Sequence, residues 1–240
     1  MTASGVLWSA LAGYVIGGVS VARLVSRLAA PGESAAEKTE LRLQGSEESL
    51  VLGTVSATSV SRQHGARWGF ATYWLDVLKV ALPVGLLRHF FPDIRYDAVF
   101  ATAALLGHVW PAWHRFRGGR GLSVVYGSLL VWDWVGMLVT ALAGMAFGLF
   151  VARSIVVVYM AGVWFTLPWL WWRTGEPAYV AFAVVANIVF PIAILPELRQ
   201  WRRIRRDAKW SDPAEVMQLS GMGRGILKMA RRFGLLERRG

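Results

Sequence analysis

The chain contains no cysteine among its 240 residues. Disulfide bonds, thiolate metal sites and cysteine nucleophiles are therefore excluded. Histidine is scarce as well, and the four histidines are dispersed along the chain, which argues against a histidine metal cluster. We expect neither a metal ion nor a cofactor.

Charged residues make up 17% of the chain, whereas a typical soluble domain has roughly 25%. Hydrophobic residues make up 55%, the mean hydropathy is +0.43, and there are 13 tryptophans. Tryptophan is enriched where membrane proteins meet the lipid headgroups. This composition predicts one polytopic membrane domain.

Acidic residues are the scarcer charge, with 15 against 26 lysines and arginines, for a net charge of +11. In a soluble protein this excess would suggest nucleic acid as a partner. Here most of the basic residues flank apolar segments, and the chain has no aromatic and basic groove motif of the kind that binds single strands. We therefore expect anionic membrane lipids as partners and no nucleic acid.

Apolar segments recur along the chain and predict an all-α fold with about seven transmembrane helices. They are Val6–Leu28, Trp68–Phe91, Ala98–Trp113, Leu122–Trp132, Val135–Val151, Ile155–Trp172 and Ala178–Leu195. The third and fourth are short for a span of about 20 residues. We expect a break at Asp133, between two tryptophans, to separate the fourth segment from the fifth. The alternative is one long helix over 121–151. A polar loop is expected over Ala29–Val51.

The basic residues indicate how these segments are oriented. With the N-terminus outside, 22 of the 26 lysines and arginines fall on the cytoplasmic side, whereas Arg88, Arg95 and Arg173 fall outside. The first apolar run has no basic residue ahead of it, which favours a retained span over a cleaved signal peptide. The predicted C-terminus is cytoplasmic.

The last part of the chain is a basic tail. We expect a transmembrane domain over residues 1–198 and a tail over 199–240, in which arginines interleave with Trp201 and Ile204. That pattern is typical of a helix lying on lipid headgroups. The simpler alternative is a basic clamp that ends the last span and has no chemistry.

The segment Gly107–Gly121 joins two apolar segments and places three arginines and three glycines between Arg115 and Gly121. Arginine is costly in hydrocarbon, so this turn belongs at a membrane surface or beside a wet cavity. Glycines let backbone N–H groups approach an anion, and the start of the next helix adds positive partial charge. The segment predicts a phosphate site on the cytoplasmic side.

The residues Gly107-His108, Pro111 and Phe116-Arg117-Gly118-Gly119-Arg120-Gly121 resemble the second signature of the bacterial acyl-phosphate:glycerol-3-phosphate acyltransferases, the PlsY family. The family has Phe-Lys-Gly-Gly-Lys-Gly there, so Arg120 stands at a lysine position. Tyr14–Ser20 is similar to a family Tyr-x-x-Gly-Ser-Ile-Pro segment, without its serine and proline.

Two other family signatures are matched less well. Gly53–Arg62 keeps Gly53, Ala57, Thr58 and Arg62 of the first signature, while Thr54 and Ser59 replace its asparagines. An alternative register places the signature serine at Ser46. Downstream spacing is kept at Gly65, Gly69, Asp76, Lys79 and Pro83. The third signature, with a histidine and an asparagine, is not found in Pro196–Arg206.

The resemblance implies transfer of an acyl group from acyl phosphate to the 1-hydroxyl of glycerol 3-phosphate, in a bacterial inner membrane, with the site facing the cytoplasm. It makes acyl phosphate the expected ligand of the Gly107–Gly121 turn. His108 and Arg120 are the expected catalytic residues. The expected substrate-binding residues are Thr54, Ser56, Thr58, Ser59, Arg62, Asp76, Lys79, Arg117, Gly118, Gly119 and Gly121.

Several of these residues have simpler alternative roles. The serine and threonine hydroxyls are equally suited to capping a helix, Asp76 and Lys79 to pairing within a span, and Arg62 to anchoring at the headgroups. No residue stands out as the base for the attacking hydroxyl, and a substrate phosphate oxygen can take that proton. Other open functions are an acyltransferase with a different phosphorylated acceptor and a non-catalytic lipid-binding protein.

Overall fold

The computed structural model describes residues 1–30, 39–42, 49–52, 56–151 and 155–207, and the chain there is predominantly helical. The α-helices in these ranges are α1 (Ala3–Gly18), α2 (Val21–Ala29), α3 (Ala57–His64), α4 (Ala66–Phe90), α5 (Tyr96–Val109), α6 (Leu122–Trp132), α7 (Trp134–Ala146), α8 (Ile155–Thr174) and α9 (Pro177–Asp207). Each of the seven predicted apolar segments overlaps at least one of these helices. The mainly helical architecture is confirmed.

A short antiparallel pair of strands lies within the predicted polar loop, beside the helices of the all-α fold. β1 (Thr39–Arg42) pairs with β2 (Ser49–Leu52), and Thr39 lies opposite Leu52. The sequence predicted only a polar loop here, because four-residue strands are too short to show a clear alternation of apolar and polar residues. Pairing nevertheless satisfies the backbone N–H and C=O groups on the facing edges of the two strands.

Helical stretches long and apolar enough to cross a membrane are present in the described chain. By length and composition they are Ala3–Ala29, Ala66–Phe90 and Pro177–Leu195, while α6 and α7 are apolar but shorter. Large apolar side chains face outward from these stretches; Leu82, Leu86 and Ile188 are each more than half exposed. An outer surface of this kind suits contact with lipid tails.

The first predicted span, Val6–Leu28, is wrong as a single helix. α1 ends at Gly18, Val19 is extended, and the Ser20 hydroxyl accepts a hydrogen bond from the N–H of Arg23 to cap α2. Serine is a preferred N-cap residue, so Ser20 favours a new helix start at this position. α2 packs its apolar side against Val60 of α3.

α5 forms the centre of the core, where it packs against α1, α4, α6 and α9. Phe100 and Leu105 of α5 are at most 2% exposed. α1 approaches α5 very closely, since a Cβ atom on Gly17 would lie only 2.1 Å from the carbonyl oxygen of Ala104. Gly13 and Gly17 are four residues apart, which is the spacing that lets membrane helices pack backbone to backbone.

Buried polar contacts fix the end of the bundle at which α5 begins. The carboxylate of Asp97, 1% exposed, accepts hydrogen bonds from Trp132 Nε1 and the Tyr179 hydroxyl, both at 2.9 Å. Arg88, near the end of α4, donates to the carbonyl oxygen of Val131 at 2.9 Å. Hydrogen bonds of this kind offset the cost of burying a charge. They join α4, α5, α6 and α9 there.

The predicted break at Asp133 is confirmed. Asp133 has an extended backbone between α6 and α7, and its carboxylate accepts hydrogen bonds from Trp169 Nε1 at 2.9 Å and Arg173 Nε at 3.3 Å. These contacts tie the α6–α7 junction to the end of α8. A five-residue π-helical segment, Phe147–Val151, follows α7.

α9 continues well beyond the predicted last span. It runs from Pro177 without interruption to Asp207, so the basic tail begins as an extension of this helix. At 1.5 Å per residue, 31 residues span roughly 46 Å, more than the roughly 30 Å hydrocarbon core of a bilayer. The predicted tail residues 208–240 lie outside the described residues.

Candidate active site

The Gly107–Gly121 turn begins where α5 ends. The predicted third span reached Trp113, but the helix stops at Val109 because Pro111 lacks an N–H and disfavours helical backbone at the residue before it. A single 3-10 turn, Ala112–His114, follows. Arg115 and Phe116 then adopt left-handed backbone, with φ values of 52° and 58°. Such values are uncommon outside glycine and mark a turn held in one shape by its surroundings.

The glycines fold this turn back onto the end of α5. The N–H of Gly118 donates to the carbonyl oxygen of Val109 at 3.1 Å, and the N–H of Gly119 donates to that of His108 at 2.9 Å. These bonds satisfy carbonyls that the end of a helix leaves without partners. Both N–H groups, which the sequence suggested for phosphate, thus have protein acceptors in this structure.

Side chains at these glycines would collide with α5. A Cβ atom on Gly118 would lie 2.0 Å from the carbonyl oxygen of His108, and one on Gly119 would lie 2.1 Å from His108 Nε2. Gly121 has a φ of 87°, and its Cβ would lie 2.5 Å from a methyl carbon of Leu105. The glycines thus let the turn lie directly against His108 and Leu105.

Arg120 and Gly121 lead directly into α6, which begins at Leu122. Arg120 is partly buried, whereas Arg115 and Arg117 are exposed. The first turn of a helix presents N–H groups and positive partial charge, which favour a bound anion. A cationic side chain next to this helix start therefore creates an electrostatically positive position, as the sequence predicted.

The segment Tyr14–Ser20, which includes the end of α1, is hydrogen-bonded to the Gly107–Gly121 turn. The Tyr14 hydroxyl donates to the carbonyl oxygen of Trp110 at 2.7 Å and accepts from the N–H of Ala112 at 3.1 Å. Trp113 Nε1 donates to the carbonyl oxygen of Gly18 at 3.2 Å. The end of α1 and the turn after α5 are thus joined by three hydrogen bonds over more than 90 residues of sequence.

A charged cluster lies between α1, α4 and α5. Lys79 Nζ is 2.6 Å from Asp76 Oδ1, 3.3 Å from His108 Nδ1, and donates to the carbonyl oxygens of Gly17 at 3.0 Å and Val19 at 2.7 Å. All three side chains are about one-tenth exposed. The pairing of Asp76 with Lys79, one of the two expected roles, is present. The structure adds His108 and the end of α1 to that pair.

Arg62 lies on α3, and α2 connects this helix to the turn. Val60 of α3 packs against the apolar side of α2, while Arg23 of α2 donates from Nη2 to the carbonyl oxygen of Arg117 at 3.2 Å. Arg62, Arg117 and Arg120 are thus carried by connected elements at one end of the bundle.

The predicted hydroxyl groups lie in different surroundings. The Ser59 hydroxyl, which is buried, accepts from the N–H of Ser56 at 2.8 Å and donates to the Ser56 carbonyl at 2.7 Å, so these serines cap α3. Capping is one of the two roles that the sequence left open for them. Thr58 is exposed on α3. Thr54 lies outside the described residues.

Sequence reasoning assigned no contact to Arg23 or Tyr14. Tyr14 belongs to the segment Tyr14–Ser20, and only the resemblance of that segment to the family pointed to this residue. Arg23 offered no signal beyond its place after the first apolar run, because its bond to Arg117 depends on how α2 turns back after Gly18.

Comparison with known proteins extends over most of the chain. The sequence model of the glycerol-3-phosphate acyltransferase family matches residues 7–207. The glycerol-3-phosphate acyltransferase of Brucella ovis is 31% identical over 179 residues, covering 74% of this chain and 81% of the relative. That of Brucella anthropi is 30% identical over 178 residues, covering 74% and 80%.

Two crystal structures share the fold. They are the glycerol 3-phosphate and lysophosphatidic acid forms of PlsY, an integral membrane glycerol 3-phosphate acyltransferase, with TM-scores of 0.69 and 0.68 and sequence identities of 19% and 18%. Each alignment covers 83% of this chain and 93% of the other. Since the family match spans α1 to α9 and includes the turn that packs on His108, the chain belongs to the glycerol-3-phosphate acyltransferase family of PlsY.

Proposed function

We propose that this protein transfers a fatty acyl group from an acyl phosphate to the 1-hydroxyl of glycerol 3-phosphate. The hydroxyl oxygen attacks the acyl carbon, the bond from that carbon to the phosphate oxygen breaks, and the products are lysophosphatidic acid and inorganic phosphate. The observation that carries the proposal is the glycine- and arginine-rich turn packed on His108, in a chain of this family.

The site suits a reaction whose donor is already activated. A mixed anhydride needs no covalent enzyme intermediate, so the protein contributes position and charge stabilisation. Arg120 beside the start of α6, with Arg117 close by in the turn, supplies positive charge for one substrate phosphate. Arg62 on α3 supplies it for the other, since guanidinium groups bind phosphate through two parallel hydrogen bonds.

The proposed setting is a bacterial inner membrane. Seven spans with the N-terminus outside place the Gly107–Gly121 turn and Arg62 on the cytoplasmic side, where water-soluble glycerol 3-phosphate is available. The apolar outer faces of α4 and α9 are exposed and suit contact with lipid. The basic extension of α9 then approaches anionic headgroups, which attract arginine and lysine.

Purified protein in detergent, given palmitoyl phosphate and glycerol 3-phosphate, is expected to release inorganic phosphate and form lysophosphatidic acid. Arg120→Ala is expected to abolish turnover. The matched control is Arg173→Ala, which removes an arginine from the end of α8, where it bonds Asp133. Turnover unaffected by Arg120→Ala, or absent with every acyl phosphate and polyol phosphate, would contradict the proposal.

A different phosphorylated acceptor is the second candidate function. It is favoured by the replacement of both first-signature asparagines, at Thr54 and Ser59, and by the lack of histidine and asparagine in Pro196–Arg206. Product analysis with a panel of phosphorylated alcohols separates the candidates. Transfer to another acceptor, with none to glycerol 3-phosphate, would select this alternative.

A further inference from the structure

The contacts of Lys79 determine which nitrogen of His108 carries a proton. Protonated lysine has three N–H donors and no acceptor. Here they face four acceptor positions: Asp76 Oδ1, the carbonyl oxygens of Gly17 and Val19, and His108 Nδ1. The ammonium group is thus surrounded by protein acceptors. One of them is the ring nitrogen Nδ1 of His108, 3.3 Å from Lys79 Nζ.

A protonated Nδ1 does not fit this position. It would direct its N–H at the ammonium group of Lys79, and the neighbouring carboxylate oxygen, Oδ1 of Asp76, is 4.0 Å away, too far for a hydrogen bond. An unprotonated Nδ1, in contrast, presents its lone pair to the ammonium group of Lys79, 3.3 Å away, which is electrostatically favourable. A neutral imidazole that accepts at Nδ1 carries its proton on Nε2.

The Nε2 edge of His108 faces the glycine-rich turn. A Cβ atom placed on Gly119 would lie 2.1 Å from His108 Nε2, so only the absence of a side chain at Gly119 makes room for this edge. The N–H on Nε2 is therefore presented at the turn where the proposed phosphate chemistry occurs.

We propose that Lys79 is a positioning residue that holds His108 in the Nε2-protonated form, so that His108 serves acyl transfer as a hydrogen-bond donor and not as the base. This inference rests on the proposed function for the reaction, but the tautomer itself is independent of turnover. A donor beside the turn stabilises negative charge on the transferring phosphate or the acyl oxygen. The proton of the attacking hydroxyl then goes to a phosphate oxygen of the substrates, and the departing phosphate leaves as inorganic phosphate.

The tautomer is measured directly on the full-length protein labelled with 15N-histidine in detergent micelles. Of the four histidines, His108 is assigned by the loss of its signals in His108→Gln. We expect wild-type His108 to be neutral with the proton on Nε2. A proton on Nδ1, or on both nitrogens, would overturn the proposal even if the enzyme is active. Conversely, protein that turns over no substrate still reports its tautomer.

Substitution of Lys79 tests the cause of that preference. Lys79→Met removes the ammonium group and is expected to give a mixture of His108 tautomers and a lower kcat, with KM for both substrates near the wild-type values. Lys79→Arg keeps a cationic donor and is expected to keep the Nε2-protonated form. The matched control is Arg88→Met, which removes another cation of α4 that bonds backbone carbonyls, at the opposite end. An unchanged tautomer in Lys79→Met contradicts the assigned role.

Two amide variants distinguish donor from base without altering Lys79. The side-chain NH2 of glutamine reaches the place of Nε2, whereas that of asparagine reaches only the place of Nδ1. If His108 is a donor, His108→Gln retains much of the wild-type kcat, and His108→Asn loses about 10²-fold, the usual effect of removing one such donor. Equal, complete loss in both variants would identify a base instead, and so refute the proposal.

Discussion

Gly119 lies directly against the ring of His108. Its N–H donates to the His108 carbonyl oxygen at 2.9 Å, and a Cβ atom on it would lie 2.1 Å from His108 Nε2. The turn and the histidine therefore share one fixed geometry, in which neither can move without the other.

Gly119→Ala is expected to lower kcat by about 10²-fold, because a displacement of about 1 Å at a reacting centre has an effect of this size. The new methyl group must displace either the His108 ring or the turn itself. The assay is phosphate release from palmitoyl phosphate at saturating glycerol 3-phosphate. The matched control is Gly85→Ala on α4, where the nearest atom to a Cβ is 3.9 Å away, so activity is expected to persist. Equal activity of both variants would show that the close contact has no role.

Tyr14→Phe removes the hydroxyl that joins α1 to the turn through two hydrogen bonds. Each such bond contributes about 0.5–1.5 kcal/mol, so we expect the free energy of unfolding to fall by about 1–3 kcal/mol. Thermal unfolding in detergent, followed by tryptophan fluorescence, measures the change. A Tm equal to that of the wild type would mean that these two hydrogen bonds do not stabilise the fold.

Arg120→Lys tests one of the two positions in the turn, 117 and 120, at which this chain has arginine and the family has lysine. Lysine keeps the positive charge but cannot form the two parallel hydrogen bonds of a guanidinium group. We therefore expect activity between those of the wild type and Arg120→Ala, with a raised KM for one phosphorylated substrate. Measured KM values for both substrates identify which phosphate Arg120 holds. If Arg120→Lys is as inactive as Arg120→Ala, positive charge alone is insufficient there.

The membrane orientation is tested with single cysteines, since the chain has none of its own. Asp93→Cys, in the exposed α4–α5 connection, is expected to react with an impermeant maleimide in intact cells. Gln63→Cys, exposed on α3, is expected to react only after the cells are opened. The reverse pattern would invert the topology and place the turn outside.

The sequence by itself determined most of the long helices and the family. Leu122–Trp132 was predicted with the bounds that the structure has, because the turn precedes this apolar run and Asp133 follows it. The spacing of glycines and cations in the turn carried the family resemblance. Both are local properties, which neighbouring residues in the chain decide.

Other local features escaped prediction. α3 and the break after Gly18 depend on serine caps, at Ser56 and Ser20. In the sequence a capping serine cannot be told from a serine in a polar loop. The β1–β2 pair is too short for periodicity to reveal it. In each case the pattern permits more than one conformation, and packing against other elements selects among them.

Only the tertiary structure decided what the site residues do. Lys79 and His108 are 29 positions apart, and Lys79 is more than 60 from Gly17, yet one ammonium group contacts both. The N–H groups of Gly118 and Gly119, suited by sequence to phosphate, are instead bound to the end of α5. The physical reason is that hydrogen bonds of buried polar groups are satisfied wherever the fold brings a partner, and close packing of α1, α4 and α5 fixes those partners without regard to sequence separation.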